Sequence, residues 1–332
     1  MNRRQFITTA GAVGLGGGLL ARSDRVGAVD VPTRDPGHGD GHGRTGVVGT
    51  VDHERNGFDP SAMLTDFDGG VVSRGRHGET VREYELAVVA RDIEVAPGVF
   101  FPAWAYNGRV PGPTIRCTEG DRLRITLVNG TEHPHTIHFH GIHSAEMDGV
   151  PGAGETAPGE SFTYDFVAEP FGTHLYHCHS SPLREHIHRG LYGAYIVDPP
   201  GGRPPAHEMV MVMNGFDTDF DGENEVYAAN TVAFAYVEEP VVIRAGELQR
   251  LHVINVTEFD PLNSIHLHAT FFDLYRTGMS LVPHERTDTI SMGQAERHMI
   301  EFTYRQPGRY MFHAHQTEFT TLGWMGEFDV QQ

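Results

Sequence analysis

The chain has 332 residues, enough for about two domains that each bury a core. Its formal charge of −19 disfavours nucleic acid or an anionic membrane surface as partner, and two cysteines exclude a disulfide framework. All 25 basic residues are arginine, and 22 histidines are a heavy load, most of them gathered in four short clusters.

Residues 1–29 read as a targeting segment. Arg3-Arg4 precede Gln5-Phe6-Ile7 and a small-residue apolar stretch from Thr8 to Leu20, which resembles a twin-arginine export signal. The apolar run is short for a membrane span. The mature protein is therefore expected to be exported by that route and soluble, without a membrane span, in an extracellular, cell-surface or periplasmic place. Residues 30–78 are rich in Gly, His, Asp and Arg with no sustained apolar period. They read as a flexible polar extension bearing His38, His42, His53 and His77, within which Phe58 to Phe67 is apolar enough to dock on the body.

From residue 79 short runs of Val, Ile, Leu, Thr and Tyr alternate with Gly and Pro turns, as in Val81 to Val89, Leu123 to Val128, Ser161 to Val167 and Ala194 to Val197. Glu208 to Met213, Val241 to Arg244, Leu251 to Val256 and Met299 to Tyr304 continue the pattern. Strands at this spacing predict an all-β sandwich architecture. Only the segment after Cys178 and residues 223–231 invite a short helix. Pro199-Pro200-Gly201-Gly202-Arg203-Pro204-Pro205 reads as a linker, dividing the body into domains 79–200 and 201–332.

The two halves repeat one another. Glu119-Gly120-Asp121, a strand and His138-Phe139-His140 are echoed by Ala245-Gly246-Glu247, a strand and His266-Leu267-His268. His177-Cys178-His179 is echoed by His313-Ala314-His315, so two copies of one sandwich is the economical reading.

Four His-x-His pairs carry the chemistry. In a strand, alternate side chains share a face, so each pair directs two imidazoles at one metal cluster. Eight imidazoles suit three coppers with space left for oxygen. Parity turns Cys178 away from His177 and His179, and His135 away from His138 and His140. A second site can then form from Cys178, His135 and a histidine beyond the cysteine, His186 or His188. One thiolate with two imidazoles is the blue-copper donor set.

Asn107-Gly108, Pro111-Gly112-Pro113-Thr114-Ile115, His138-Phe139-His140-Gly141, Met147-Asp148-Gly149-Val150-Pro151 and His177-Cys178-His179 resemble multicopper oxidases. More narrowly, residues 79–332 resemble the two-domain kind, similar to small laccases and related to copper nitrite reductases. The resemblance implies two cupredoxin-like Greek-key β-sandwich domains and four coppers per active unit. His138 and His266 match type 2 ligands, and His140, His177, His179, His268, His313 and His315 match the binuclear type 3 ligands. Cys178 and His135 match type 1 ligands. In the family the second type 1 histidine stands four residues before a Gly, which selects His186 over His188 and leaves Leu191 at the axial position. Asn263 and Ala314 replace type 1 ligands in the second half, so one type 1 site is expected, in domain 1. Asp148 matches a carboxylate that relays protons to oxygen, with Glu318 a weaker candidate. His133, His143 and His174 read as surface or packing residues. Relatives of this kind form homotrimers in which each three-copper centre joins domain 1 of one chain to domain 2 of the next.

The implied activity is one-electron oxidation of a small reducing substrate, a phenol or aromatic amine as in laccases, coupled to four-electron reduction of O2 to water. A ferroxidase or cuprous oxidase is the nearest alternative, then a copper nitrite reductase, which would not need His179 or the pair His313 and His315. Asp217 to Gly222 mimics the start of a calcium loop, but Ala228 stands where its bidentate carboxylate belongs, which favours a plain acidic loop.

Overall fold

The computed structural model describes residues 49–332. The twin-arginine segment, His38 and His42 lie outside the described residues. β-branched and aromatic runs set the secondary structure throughout. One sheet orders Val71–Arg74, Thr80–Ala96, Arg122–Asn129 and Ser161–Val167, with Val99–Tyr106 folded back on Thr80–Ala96. A second orders Phe67–Asp68, Thr114–Thr118, Tyr192–Asp198, Gly172–His177 and His138–Phe139. Their inner faces share one core that includes Leu86, Val88, Leu123 and Ile125 from the first sheet and Ile115, Phe139, Tyr176 and Val197 from the second.

Residues 207–331 repeat the central strands of this sandwich, with Phe272–Arg276, Glu285–Thr287 and Thr289–Gly293 added at the sheet edges. The parallel pairing of Thr80–Ala96 with Arg122–Asn129 recurs between His207–Phe216 and Gln249–Asn255. The antiparallel pairing of Arg122–Asn129 with Ser161–Val167 recurs between Gln249–Asn255 and Arg297–Phe302. In the other sheet, Thr114–Thr118 beside Tyr192–Asp198 is matched by Val241–Arg244 beside Met325–Gln331, both parallel. The fold is all-β, two cupredoxin-like Greek-key sandwiches in one chain. A third apolar cluster, with Phe101, Leu175 and Tyr192 from the first half and Val210, Phe216 and Val226 from the second, packs the halves together.

Charge reinforces that seam. Arg116 binds Asp198 at 2.8 Å and Glu208 at 2.9 Å, and Glu208 also takes Arg250, which is 2 % exposed and pairs with Glu301. Burial makes such pairs costly to break singly.

Two expectations need correction. Residues 49–78 are not a flexible extension: Phe58, Met63 and Leu64 are buried in core clusters, and Phe67–Asp68 and Val71–Arg74 pair into the sheets. Residues 223–231 hold no helix; Val226–Ala229 is a strand paired with Met213 to Phe216. It is buried along its whole length, and an apolar run buried on both faces carries no period to distinguish the two states. A short helix at Ala235–Glu238 went unpredicted. The helix after Cys178 is Leu183–His188. No helix among the described residues is long and apolar enough to cross a membrane.

Candidate metal centre

Cys178 leaves the strand Gly172–His177 fully buried. Its Sγ lies 3.1 Å from His186 Nδ1 and 3.8 Å from His135 Nδ1, and the two Nδ1 atoms are 3.2 Å apart. The three donors converge from distant segments. His135 is pinned by paired backbone hydrogen bonds with Thr156, and His186 rides on the helix Leu183–His188. His135 Nε2 sits 2.7 Å from Thr131 Oγ1, a partner that fixes the ring and leaves Nδ1 as the ligand atom. The Thr136 amide donates to Cys178 Sγ at 3.3 Å. Burial drops His135 to about 3 and His186 to about 4, so both imidazoles are neutral at pH 7, the form that binds metal. Burial also raises the Cys178 thiol, whose proton a metal must expel.

His188 takes no part. Residues two apart on a helix do not share a face. Its Nε2 accepts the Asp217 amide at 3.0 Å, and its ring packs against Phe101 and Phe259. Leu191, fully buried in the core cluster of Cys178, offers no ligand atom; its carbonyl accepts the Cys178 amide at 2.9 Å.

The other face of the tripeptide meets the His-x-His pairs through strand register. His138 lies directly opposite His177 in one antiparallel ladder, and His266 opposite His313 in the other. Opposed residues in a ladder present side chains on the same face. The ligand atoms of His138, His140 and His177 lie within 4.8 Å of one another, as do those of His266, His268 and His313. His140 Nε2 is 3.2 Å from His177 Nε2, and His268 Nε2 is 2.9 Å from His313 Nε2. His179 and His315 stand just outside these triads, with rings 5.4 Å from His138 and 5.5 Å from His266.

Backbone carbonyls hold the tautomers. His138 Nδ1 donates to Asp148 O at 2.6 Å, His266 Nδ1 to Asp288 O at 2.9 Å, and His177 Nδ1 to Cys178 O at 2.9 Å, while His313 does the same to Ala314 O. Each bond fixes the ring and assigns Nε2 as its ligand atom. Thr136 serves both faces, since its Oγ1 accepts the His179 amide at 2.7 Å, and Ser264 Oγ does the same for His315. Burial lowers His140 to about 3 and His177 to about 4.

Two family descriptions, both multicopper oxidase, match residues 88–202 and 203–332. The chain belongs to the multicopper oxidases. A solved multicopper oxidase structure is 55% identical, with a TM-score of 0.84 over 85% of this chain and 100% of the other. The structure of a copper nitrite reductase from Nitrosomonas europaea is 26% identical, with a TM-score of 0.69 over 76% of this chain and 94% of the other. A probable nitrite reductase-hydroxylamine oxidoreductase fusion protein of Kuenenia stuttgartiensis is 32% identical over 78% of this chain. The chain spans only 32% of that relative's length.

Copper is the metal this membership implies, and the donors fit it: a thiolate with neutral imidazoles in one group, imidazoles alone in the others. A multicopper oxidase with two equivalent halves would present two thiolate sites, and the second half shows why this one does not. Asn263 takes the place of His135 and binds Thr257 Oγ1 at 3.0 Å. Ala314 replaces Cys178, and the Trp324 carbonyl accepts its amide, as the Leu191 carbonyl does for Cys178. The Trp324 indole, 1 % exposed, packs in the core cluster of Ala314 and donates to Ser264 O at 3.0 Å. The second socket is filled with side chain.

Asp148 Oδ1 lies 3.3 Å from His138 Nδ1. Asp288 Oδ1 lies 4.0 Å from His266 Nδ1, a counterpart that sequence reading missed. Asp148 follows His138 by ten positions and Asp288 follows His266 by twenty-two, so the repeat hid the match. Glu258 was also missed. It is buried and lines a cavity of about 540 Å³ with His138, His140, His177 and His179, where burial raises its carboxyl. Its signal was Thr257-Glu258 echoing Thr131-Glu132. The second-half residues on this cavity are Val256, Glu258, Gln294 and Ala295, and not the histidines of the second triad.

Glu318 is exposed on the helix Thr317–Thr321. His143 joins His138 and Asp148 within ligand distance, yet its two nitrogens face the carbonyls of Ser144 and Phe139. His174 is buried with Nε2 on Pro170 O, and exposed His133 lies against Trp104. The Asp217 carboxylate caps the amides of Asp221 and Gly222, an acidic loop closed on itself. A cleft of about 860 Å³ beside Phe271 and Tyr304 holds none of the candidate ligands.

Proposed function

We propose that this chain is an exported, laccase-like oxidase that removes single electrons from a phenol or aromatic amine and reduces dioxygen to water. One observation carries the reading: a single tripeptide contributes Cys178 to a buried thiolate–imidazole group and His177 to an imidazole triad on the opposite face. Copper supplies one-electron redox chemistry at the first and oxygen chemistry at the second. In this assignment His135, Cys178 and His186 hold the type 1 ion, His138 and His266 the type 2 ion, and His140, His177, His179, His268, His313 and His315 the type 3 pair.

The chain's own groups then divide the labour. Cys178 links the two faces through a few covalent bonds, so an electron accepted at its sulfur reaches His177 along the backbone. Leu191, buried beside Cys178, offers no ligand atom, so a copper held by His135, Cys178 and His186 would gain no further donor from it, which would favour the cuprous state. Asp148, whose carboxylate borders His138, hands protons toward the oxygen site, where four are consumed for each dioxygen. The triads His138–His140–His177 and His266–His268–His313 form separate groups, and a homotrimer that brings one chain's first triad to the next chain's second would complete each centre.

Nitrite reduction is the second reading, favoured by the names of two relatives. Against it stands the full complement of four His-x-His pairs, more than a nitrite reductase needs. Copper content, an optical spectrum and oxygen uptake on a donor panel decide between them. The oxidase reading expects about four coppers per active unit, a near-ultraviolet type 3 band and oxygen consumption with a phenol. Nitrite turnover by a protein without that band would overturn it.

A further inference from the structure

The donors of the thiolate group are sealed. Cys178 and His135 are 0 % exposed and His186 is 2 % exposed, so no reducing substrate can lie against a ligand ring. One aromatic side chain spans the gap. The Trp104 ring meets His186 edge-on at 4.8 Å and His135 edge-on at 5.2 Å, and it meets the exposed His133 ring, tilted, at 4.9 Å. Trp104 is 7 % exposed, and His133 is exposed with Glu132 and Pro134 beside it.

The indole is fixed rather than loose. Its backbone amide donates to Arg189 O at 2.9 Å, and the Arg189 guanidinium lies 5.1 Å above the ring. That guanidinium is tied down in turn by Pro102 O at 3.0 Å and Glu185 at 3.3 Å. A cation over a π-face is attractive for the neutral ring and repels a positive hole on it. Trp104 is therefore built to bridge an electron without being oxidised itself.

We propose that Trp104 is the electron-uptake contact of this protein and that an aromatic donor stacks on the surface made by its edge and the His133 ring. The assignment rests on reading the Cys178 group as the one-electron site. The donor, a phenol, gives up one electron and loses its hydroxyl proton to water, leaving a phenoxyl radical. The electron would cross Trp104 to the one-electron acceptor, a copper(II) that His135, Cys178 and His186 would hold, with dioxygen as the terminal oxidant. Stacked aromatic rings prefer offset or edge contacts of this size, and a net charge of −19 favours neutral or cationic donors over anionic ones.

The chain has two tryptophans, Trp104 and Trp324, and Trp324 is buried in the second half. In copper-free Trp324→Phe protein, emission excited at about 295 nm reports Trp104 alone. Titration with 2,6-dimethoxyphenol, which cannot turn over without copper, is expected to quench that emission saturably. Copper-free Trp104→Phe protein, reporting Trp324, should show no saturable change. In copper-loaded protein under anaerobic conditions the phenol should bleach the wild-type blue band. Trp104→Leu should keep its copper and its band yet bleach at least tenfold more slowly, with Trp104→Phe recovering part of the rate. His133→Ala, at an exposed position that does not threaten folding, should raise the donor concentration needed for half-maximal bleaching severalfold.

Unchanged bleaching in Trp104→Leu, or no saturable quenching, would overturn the assignment while the oxidase reading stands. A wild-type band that no phenol bleaches removes the aromatic-donor reading and this proposal together. Fast bleaching by a reduced cytochrome c alone would assign the surface to a protein donor and overturn it as well.

Discussion

Acid should unfold the copper-free protein through its own ligands. An unfolded histidine titrates near 6.5, whereas burial holds His135 at about 3 and His177 and His186 at about 4. Between those limits the unfolded chain binds more protons than the folded one, so stability that is complete above pH 6.5 is lost as the pH falls. From pH 7 to pH 5 each such group costs about 1.8 kcal/mol, at about 1.36 kcal/mol per tenfold change in proton binding. All three side chains are buried, so solvent screens them little, and together they cost about 5 kcal/mol. That is comparable with the whole stability of many domains, about 5–15 kcal/mol. Copper competes with protons for the same nitrogens, so the loaded protein should lose far less over the same interval. Urea unfolding followed by far-ultraviolet circular dichroism at pH 7 and pH 5, with and without copper, measures both quantities. Equal midpoints for the copper-free protein at the two pH values would refute the reasoning, as would an equal loss in the loaded protein.

His186→Ala should abolish the blue band while His188→Ala retains it, because His188 is bonded to the Asp217 amide; the visible spectrum of the two variants decides. Cys178→Ala should lose the blue band and at least a hundredfold in oxygen uptake, while electron paramagnetic resonance still shows a type 2 signal. Ala314→Cys should give no second blue band by absorption, since Trp324 fills that socket and Asn263 lacks an imidazole. Asp148→Asn keeps the backbone carbonyl that orients His138, so copper content should hold while oxygen reduction falls about a hundredfold at neutral pH.

The fold was legible because its signals are local. Period-two runs and Gly/Pro turns mark strands, and the spaced His-x-His pairs expose the repeat. Parity alone separated Cys178 from His177 and His179, since alternation is fixed by the strand itself. What escaped depends on partners distant in sequence. Trp324 reads as an ordinary core aromatic until it is seen against Ala314 and Ser264 O. Asp288 and Glu258 reach the histidines through loops of unequal length, which no fixed spacing records. The docking of Phe58 to Phe67 was legible from its apolar residues, and Phe58, Met63 and Leu64 are buried, but the pairing of Val71–Arg74 with Thr80–Glu83 was not, because the polar composition of residues 49–78 masks it.

The opposition of His138 to His177 and of His266 to His313 makes pairing error chemically visible. A slip of one residue in either ladder would send the imidazoles to the wrong face. In the first ladder it would also bring Cys178 round to the histidine side. No such misfolded chain could gather three nitrogens at one point, so its affinity for copper would collapse. Metal capture thus acts as a test of strand register, passed only by chains whose two ladders have zipped in the native alignment.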